Sequence, residues 1–98
     1  MSFWVYILAS ARNGTLYVGH ADNLPERMFQ HREGLTPGFA SRYGCRMLVW
    51  MEPFPTRDEA KTRERRIKAW KRLWKLDLIE RANPEWRDFY EDLNMWDS

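Results

Sequence analysis

The stretch that decides the fold runs from Phe3 to Gly19 and reads FWVYILA-SARNG-TLYVG. Aromatic and β-branched residues fill both flanks, which is typical of β-strands. An Asn-Gly pair lies between the flanks, and both of these residue types tolerate the positive φ angle that tight turns need. We therefore predict that the chain opens with a β-hairpin.

The length of the hairpin loop decides which residues face each other across the two strands. A four-residue loop over residues 10–13 would place Ala9 opposite Gly14 and, in the same register, Tyr6 opposite Tyr17. Two facing tyrosines are usually packed aromatic side chains. The same pair would also suit an active site, so both interpretations remain open.

Composition limits the class of protein. A chain of 98 residues with 44% hydrophobic residues and six tryptophans predicts one folded domain rather than a disordered segment. Cys45 is the only cysteine, which excludes an intramolecular disulfide and favours a reducing, cytoplasmic setting. No apolar run approaches the roughly 20 residues that span a bilayer, and the first residues lack a signal-peptide pattern. We therefore expect no membrane association.

The net charge of +2 conceals a strong asymmetry along the chain. Residues 1–75 contain 14 Lys and Arg against 7 Asp and Glu, whereas residues 76–98 contain 2 against 7. A basic body suggests a polyanionic partner such as nucleic acid. The alternative is that these cations merely solvate a helix face, and charge alone does not separate the two.

A helix is predicted directly after the hairpin, because Asn23 or Asp22 suits its N-cap and Gly34 its end. Four residues follow the i, i+3, i+4, i+7 spacing that defines one helix face: Leu24, Arg27, Met28 and His31. Half of this stripe is apolar and half is cationic or ionisable. In one interpretation, Arg27 and His31 lie at the edge of a packed face and extend their polar ends into solvent. In the other, a functional site lies under the helix.

The middle of the chain predicts a loop, a strand and a second helix. Residues 35–43 contain proline and glycine and indicate a loop, whereas the apolar segment 46–52 indicates a third strand that Pro53 and Pro55 should end. Thr56 and Glu59 form a capping-box pattern at the start of a helix predicted over residues 57–71.

Glu64 lies on the inward face of that helix, between Ala60 and Ile67. A buried carboxylate is costly unless it is paired or bound to a cation. The sequence leaves two interpretations open, namely an ion pair with Arg27 or Arg63, and a metal ligand.

The C-terminal part predicts two more helices. Residues from Arg72 onward have the apolar content of a short helix, and Pro84 should interrupt the chain. The acidic segment 85–96 is predicted to form a final amphipathic helix that covers apolar surface with Trp86, Phe89, Tyr90 and Leu93.

The ordered set of motifs resembles the GIY-YIG nuclease superfamily, in particular its small stand-alone bacterial branch, over residues 3 to about 80. The elements that carry the resemblance are Trp4-Val5-Tyr6, Tyr17-Val18-Gly19, Arg27, His31, Tyr43 and the helical segment Glu64-Arg65-Arg66-Ile67-Lys68. Trp4 stands where the family name has glycine. The resemblance implies an α+β fold with a three-stranded antiparallel sheet flanked by helices. It assigns residues 1–82 to this domain and leaves 83–98 as an acidic helical extension packed on it.

The resemblance also implies an activity, namely hydrolysis of phosphodiester bonds in DNA with one divalent cation, Mg²⁺ or Mn²⁺, in DNA repair or recombination. The implied roles are a base at Tyr17, its neighbour Tyr6, a metal ligand at Glu64, and phosphate or nucleophile support from Arg27, His31 and Tyr43. His20 stands where some relatives have lysine. Further candidates for contact with the substrate are Arg42, Arg63, Lys68 and Lys71, and the basic run 61–75 with Trp70 and Trp74 is suited to follow a phosphate backbone.

Three classes of function remain in competition at this stage. The leading hypothesis is a metal-dependent endonuclease of weak or structure-influenced specificity, with a partner protein as one source of target choice. The second is a catalytically weak nucleic-acid-binding module that retains the nuclease fold. The third is an interaction protein that uses its aromatic residues and acidic end. Oligomeric state is left open by the sequence.

Overall fold

The computed structural model of the protein describes residues 2–35 and 38–96. Three strands and five helices follow one another in this order: β1 (Phe3–Ala9), β2 (Leu16–Ala21), α1 (Leu24–Arg32), α2 (Phe39–Arg42), β3 (Met47–Phe54), α3 (Arg57–Ala69), α4 (Arg72–Ala82) and α5 (Tyr90–Trp96). The strands form one antiparallel sheet in the order β2-β1-β3. The predicted α+β class with a three-stranded antiparallel sheet is therefore confirmed. No helix in the described ranges has the length and apolar content needed to cross a membrane.

The hairpin forms as predicted, but its predicted register is wrong. The turn lies one residue later, over residues 11–14, so that Ala9 faces Leu16 and Tyr6 faces Gly19. The Ser10 side chain explains the shift, because its Oγ accepts a 2.9 Å hydrogen bond from the Thr15 amide and keeps Ser10 in the ladder. Asn13 adopts the positive φ of 59°.

The sheet separates the core into two layers. Alternate residues of β1, among them Val5 and Ile7, face α3 and α4 and pack with Ile67 and Ile79. The intervening residues Tyr6 and Leu8 face α1 and α5 and pack with the buried residues Leu24, Met28 and Leu93. Because β1 is central, both of its faces are buried, and each face can hold side chains next to a different set of helices.

Two predictions for the middle of the chain change, and two predicted helix caps are confirmed. Strand β3 continues through Pro53, which pairs with Trp4 and is tolerated because β3 is an edge strand. Residues 39–42 of the predicted loop form the one-turn helix α2. The caps Asn23 and Thr56 are confirmed, since each side chain accepts the amide hydrogen bond expected of an N-cap.

The predicted helix over residues 85–96 is wrong in its first part, because the chain becomes helical only at Tyr90. Side-chain oxygens of Asn83 and Asp88 accept hydrogen bonds from backbone amides of this segment and so compete with helix formation. Asn83 accepts from the Arg87 amide at 2.9 Å and donates to the Val49 carbonyl at 3.1 Å. Asp88 accepts from the Leu48 amide at 3.1 Å. These contacts fix the segment along the outer edge of β3.

Gly19 provides the space in which the Tyr6 ring lies. A β-carbon at Gly19 would stand 2.6 Å from the Tyr6 hydroxyl oxygen and 2.7 Å from Cζ, both far inside contact distance. Tyr6 is fully buried, so its ring has little room to move aside. The glycine of the second motif is therefore required by the tyrosine of the first.

We expect Gly19→Ala to lower the free energy of unfolding by about 1–3 kcal/mol, as overpacking of a core usually does. Urea unfolding followed by tryptophan fluorescence measures this change. In a Tyr6→Leu background the ring atoms are absent, so the same alanine should cost much less. An equal cost of Gly19→Ala in both backgrounds would contradict this explanation.

Candidate active site

Three aromatic rings cluster on the α1 side of the sheet. The Tyr6 hydroxyl oxygen lies 3.0 Å from Nε2 of His31, and both residues are buried. The Tyr17 ring centroid lies 6.3 Å from that of Tyr6 and 5.6 Å from that of His31. The two tyrosines are diagonal rather than directly opposite, because the register shift preserved the face of each side chain.

Burial determines the protonation of this cluster. It raises the pKa of Tyr6 far above its ordinary value, with a further rise from Tyr17 and a partial reduction from Arg27. The pKa of His31 is lowered, first by burial and then by the Arg27 charge. Both groups are therefore neutral at neutral pH, and the tautomer of His31 decides which of them donates in the hydrogen bond between the Tyr6 hydroxyl and Nε2.

Arg27 lies beside the aromatic cluster and extends to the protein surface. Its Nη1 donates to Oε1 of Gln30 at 3.3 Å, whereas its buried Nε has no hydrogen-bond partner among the residues that the structure describes. The guanidinium lines a polar cleft of about 350 Å³ at the end of β2. The other residues of the cleft are His20, Ala21, Asp22, Asn23, Glu26, Gln30 and Arg57. The cleft joins α1 to the start of α3 and offers an anion two guanidinium groups.

Glu64 lies on the opposite face of the sheet, where α3 packs. Its side chain is only 14% exposed and both of its oxygens are occupied. Oε1 lies 2.5 Å from Nδ1 of His20 and Oε2 lies 2.7 Å from Nζ of Lys68. Burial by itself raises the pKa of Glu64, but the hydrogen bonds from Lys68 and His20 outweigh it and lower the pKa overall. Glu64 is an ionised carboxylate held by the ammonium group of Lys68 and by a hydrogen bond with the His20 imidazole.

The ion-pair partners predicted for Glu64 are wrong. Arg27 belongs to the other face, and the Nε of Arg63 donates to Glu52 at 3.0 Å, with its guanidinium 5.3 Å from the Trp70 ring centroid. His20 could not be assigned to Glu64 from sequence, because the two residues are 44 positions apart. The contact forms only because β2 and α3 pack together.

The two halves of the site meet across β2, the edge strand of the sheet. His20 follows Gly19, and alternation along the strand sends the His20 side chain to the α3 face while Gly19 lies under Tyr6. The negative charge of Glu64 is close enough to raise the pKa of Tyr6. One strand therefore separates the carboxylate from the phenol, and both groups are near the cleft.

The remaining sequence candidates are placed less centrally. Tyr43 follows α2 and is 48% exposed, and the Arg42 guanidinium lies 5.8 Å from its ring centroid. Lys71 is exposed at the start of α4. Arg63 packs between α3 and β3, as described above. Tyr43, Arg42, Arg63 and Lys71 all lie outside the lining of the cleft.

Of the cleft residues, the sequence predicted only His20 and Arg27 as members of a site, and it missed Gln30 and Arg57 among others. Gln30 is three positions after Arg27 and so shares its helix face, a spacing that was available in the sequence. Arg57 pairs with Asp22 at 3.2 Å, a contact between residues 35 positions apart that no local pattern predicts.

The donor set restricts how a metal ion would bind. Within residues 2–35 and 38–96, no three His, Cys, Asp or Glu side chains are grouped as a metal site. Glu64 alone would contact the ion, which suits Mg²⁺ because that ion retains several water ligands. The Lys68 side chain is 50% exposed, so its ammonium group has room to leave the carboxylate. The residues therefore fit a hydrated divalent cation, provided that Lys68 moves away from the Glu64 carboxylate.

We expect the stability of the protein to fall as the pH is lowered through the titration of His31. Its pKa is depressed in the folded state, so the unfolded chain binds the proton more readily. The contribution is complete above about pH 6.5, the ordinary histidine pKa, and declines below it. Glu64 acts in a separate window, below its ordinary pKa of 4.5.

Urea unfolding at a series of pH values measures this dependence. The His31→Gln variant should have a flatter profile than the wild type between about pH 6.5 and 5. His20→Gln is the control, because it removes the other histidine and leaves the Tyr6–His31 pair in place. Identical slopes for His31→Gln and the wild type would show that the imidazole is not desolvated as described.

Comparison with known proteins places this geometry in a family. A sequence model of the GIY-YIG catalytic domain matches residues 2–77. A UPF0213 protein of Clostridium perfringens is 32% identical over 92 residues, which covers 94% of this chain and 98% of the relative. A UPF0213 protein of Staphylococcus saprophyticus is 34% identical over 76 residues, or 78% of this chain and 92% of the relative.

A solved structure gives the same result. The solution NMR structure of a UPF0213 protein from Bacillus halodurans superimposes with a TM-score of 0.56 at 27% identity, over 90% of this chain and 93% of that one. The family match includes both tyrosine motifs, Arg27, His31 and Glu64. The chain therefore belongs to the GIY-YIG catalytic domain family.

Proposed function

We propose that the protein is an endonuclease that hydrolyses phosphodiester bonds in DNA with the help of a divalent cation. The observation that supports the proposal is that one polar cleft is lined both by Arg27, which lies beside the Tyr6–Tyr17 pair, and by His20, which contacts Glu64. Phosphodiester hydrolysis needs an activated water, positive charge on the phosphate oxygens and stabilisation of the leaving oxygen. The residues of this site can supply the first two of these.

Arg27 is the residue suited to hold the scissile phosphate. Its guanidinium lines the cleft, and its unsatisfied Nε shows that its hydrogen-bonding capacity is not exhausted by Gln30. A guanidinium binds phosphate oxygens with planar, charge-assisted hydrogen bonds. Its partial burial strengthens these bonds, because the effective dielectric is lower than in water.

The two tyrosines have different roles in this proposal. Tyr6 is a neutral phenol that is hydrogen-bonded to His31, and its raised pKa keeps it protonated, so it is unsuited to take up a proton itself. It acts instead by holding His31 and by packing beside Tyr17. Tyr17 is half-buried and is therefore the phenol that solvent and substrate can reach. We assign to Tyr17 the proton transfer from the attacking water.

Glu64 is the residue that would hold the divalent cation, Mg²⁺ or Mn²⁺. When bound, the cation supplies positive charge to the phosphate oxygens and lowers the pKa of a coordinated water. His20 orients the carboxylate through Oε1, and Lys68 must give up its contact with Oε2 for the ion to bind. Lys68 is then released as an exposed cation near the DNA backbone.

A second candidate function is binding without efficient cleavage. The observation that favours it is the engagement of both Glu64 oxygens by the His20 and Lys68 side chains, which would compete with a metal ion. A protein with this arrangement would retain its basic surface and its affinity for DNA. Cleavage and binding must therefore be measured on the same samples.

We expect wild-type protein to nick supercoiled plasmid DNA in the presence of Mg²⁺ and to be inactive in excess chelator. Glu64→Gln and Arg27→Lys should each lower the initial rate by about 100-fold or more, the usual effect of removing one electrostatic contact in the transition state. Glu59→Gln is the matched control, because Glu59 is an exposed carboxylate on the same helix. It should cleave at the wild-type rate.

The outcomes separate the two functions. Equal nicking by wild type and Glu64→Gln would rule out this site as the source of the activity. Retention of plasmid in gel-shift measurements, without nicking by any variant at any Mg²⁺ or Mn²⁺ concentration, would instead establish the binding module.

A further inference from the structure

The break between α3 and α4 brings two tryptophans together at the surface. Helix α3 ends at Ala69, and Trp70 and Lys71 are extended before α4 begins at Arg72. The indole centroids of Trp70 and Trp74 lie 6.3 Å apart with the ring planes at 75°. They form one end of a groove of about 240 Å³, which we call the tryptophan groove, lined by Trp70, Trp74, Asp77, Leu78 and Arg81.

The Trp74 indole is more than half exposed to solvent, so packing in the core does not account for it. Trp74 is 57% exposed and its neighbour Leu73 is 75% exposed, whereas Trp70 packs partly against the α3 layer of the core. An exposed apolar patch of this kind marks a contact surface more often than an accident of packing. Trp74 is thus the accessible member of the pair and Trp70 its support.

The groove is held in a fixed position before any ligand arrives. Nη2 of Arg72 donates to the carbonyl oxygens of Asn13 and Gly14 at 2.7 and 2.6 Å, so the hairpin turn anchors the start of α4. The Arg63 guanidinium lies 5.3 Å from the Trp70 ring centroid and supports it from the core side. A preformed surface of this kind reduces the conformational entropy that binding would cost.

The charges around the groove indicate what kind of ligand it fits. Lys71 and Lys75 flank Trp74 in sequence, and neither forms an ion pair with a carboxylate of the described residues. The acidic member of the groove, Asp77, is neutralised by Arg81 at 2.9 Å. The local surface therefore combines a flat aromatic face with uncompensated positive charge.

Self-association fits these charges poorly. A two-fold contact would place the same surface of two molecules face to face. Lys71 and Lys75 of one molecule would then approach their own copies, which is unfavourable. A strand of nucleic acid satisfies both features at once, because its phosphates match the lysines and every nucleobase has a flat face that stacks on an indole.

We propose that the tryptophan groove is a binding site for an unpaired nucleobase, which stacks on Trp74 while the adjoining phosphates contact Lys71 and Lys75. The site is separate from the cleft and does not depend on the proposed cleavage. Glu64 and the groove are linked through α3, which bears Glu64 and ends at Ala69, directly before Trp70.

The test compares two labelled single strands of about ten nucleotides, a length within the usual span of single-strand sites. One is oligo-thymidine, and the other is an abasic strand that has the same phosphates and no bases. Fluorescence anisotropy in excess chelator gives the dissociation constants without cleavage. We expect Trp74→Ala to weaken binding of oligo-thymidine by about 5- to 100-fold and to leave binding of the abasic strand unchanged.

Two control variants make the result specific. Trp74→Phe retains an aromatic face and should retain most of the affinity. Leu73→Ala removes a neighbouring apolar side chain that is even more exposed and has no ring, so it should change the affinity by less than about twofold. Thermal unfolding of the variants establishes that the folded state is intact, which the exposure of Trp74 leads us to expect.

Several results would overturn the proposal. Unchanged affinity of Trp74→Ala for oligo-thymidine would show that no base stacks there. An equal loss for both strands would show that Trp74 acts only on phosphate contacts or on folding. A wild-type dimer that Trp74→Ala dissociates in sedimentation experiments would assign the patch to self-association instead.

Discussion

The contact between the Tyr6 ring and the backbone of Gly19 is the constraint on which the site depends. The ring occupies the space where any other residue would place a β-carbon. This close approach lets the buried phenol reach His31 on α1 while it remains packed in the sheet. It also leaves His20, the next residue, free to face the other side. A single small residue thus allows two opposite faces of one strand to contribute to the same chemistry.

The position of β2 at the edge of the sheet makes this arrangement workable. Groups on opposite faces of a central strand are separated by neighbouring strands on both sides, whereas an edge strand leaves one side open. The cleft lies at the end of β2, between α1 and the start of α3, and Arg27 and His20 both line it. Arg27 reaches the cleft from the face of the sheet that bears the phenols, and His20 from the face that bears Glu64.

Much of this could be predicted from the sequence, and the failures have physical causes. The hairpin, the caps at Asn23 and Thr56 and the inward position of Glu64 follow local rules of periodicity and capping, which the structure obeys. The register failed because Ser10 forms a side-chain bond that a loop-length rule does not contain. The error did not affect the site, because moving the turn by one residue changes each cross-strand partner by two positions. Each side chain therefore stays on its predicted face of the sheet.

Long-range contacts were beyond local reasoning. The pairing of Glu64 with His20 depends on how α3 packs against β2, and the sequence favoured arginines because they are better partners in general. The C-terminal segment was misjudged for a related reason. Its apolar spacing suits a helix, but Asn83 and Asp88 bind backbone groups of another strand, and this outweighs the local preference.

The segment from Asn83 to Phe89 has a consequence for the behaviour of the protein at high concentration. A strand at the border of a sheet exposes amide and carbonyl groups that can recruit another chain. Here the outward-facing groups of Leu48 and Val49 are occupied by Asp88, Phe89 and Asn83. The segment thereby covers the first part of β3 and leaves fewer backbone groups of this border strand available for edge-to-edge pairing with another chain.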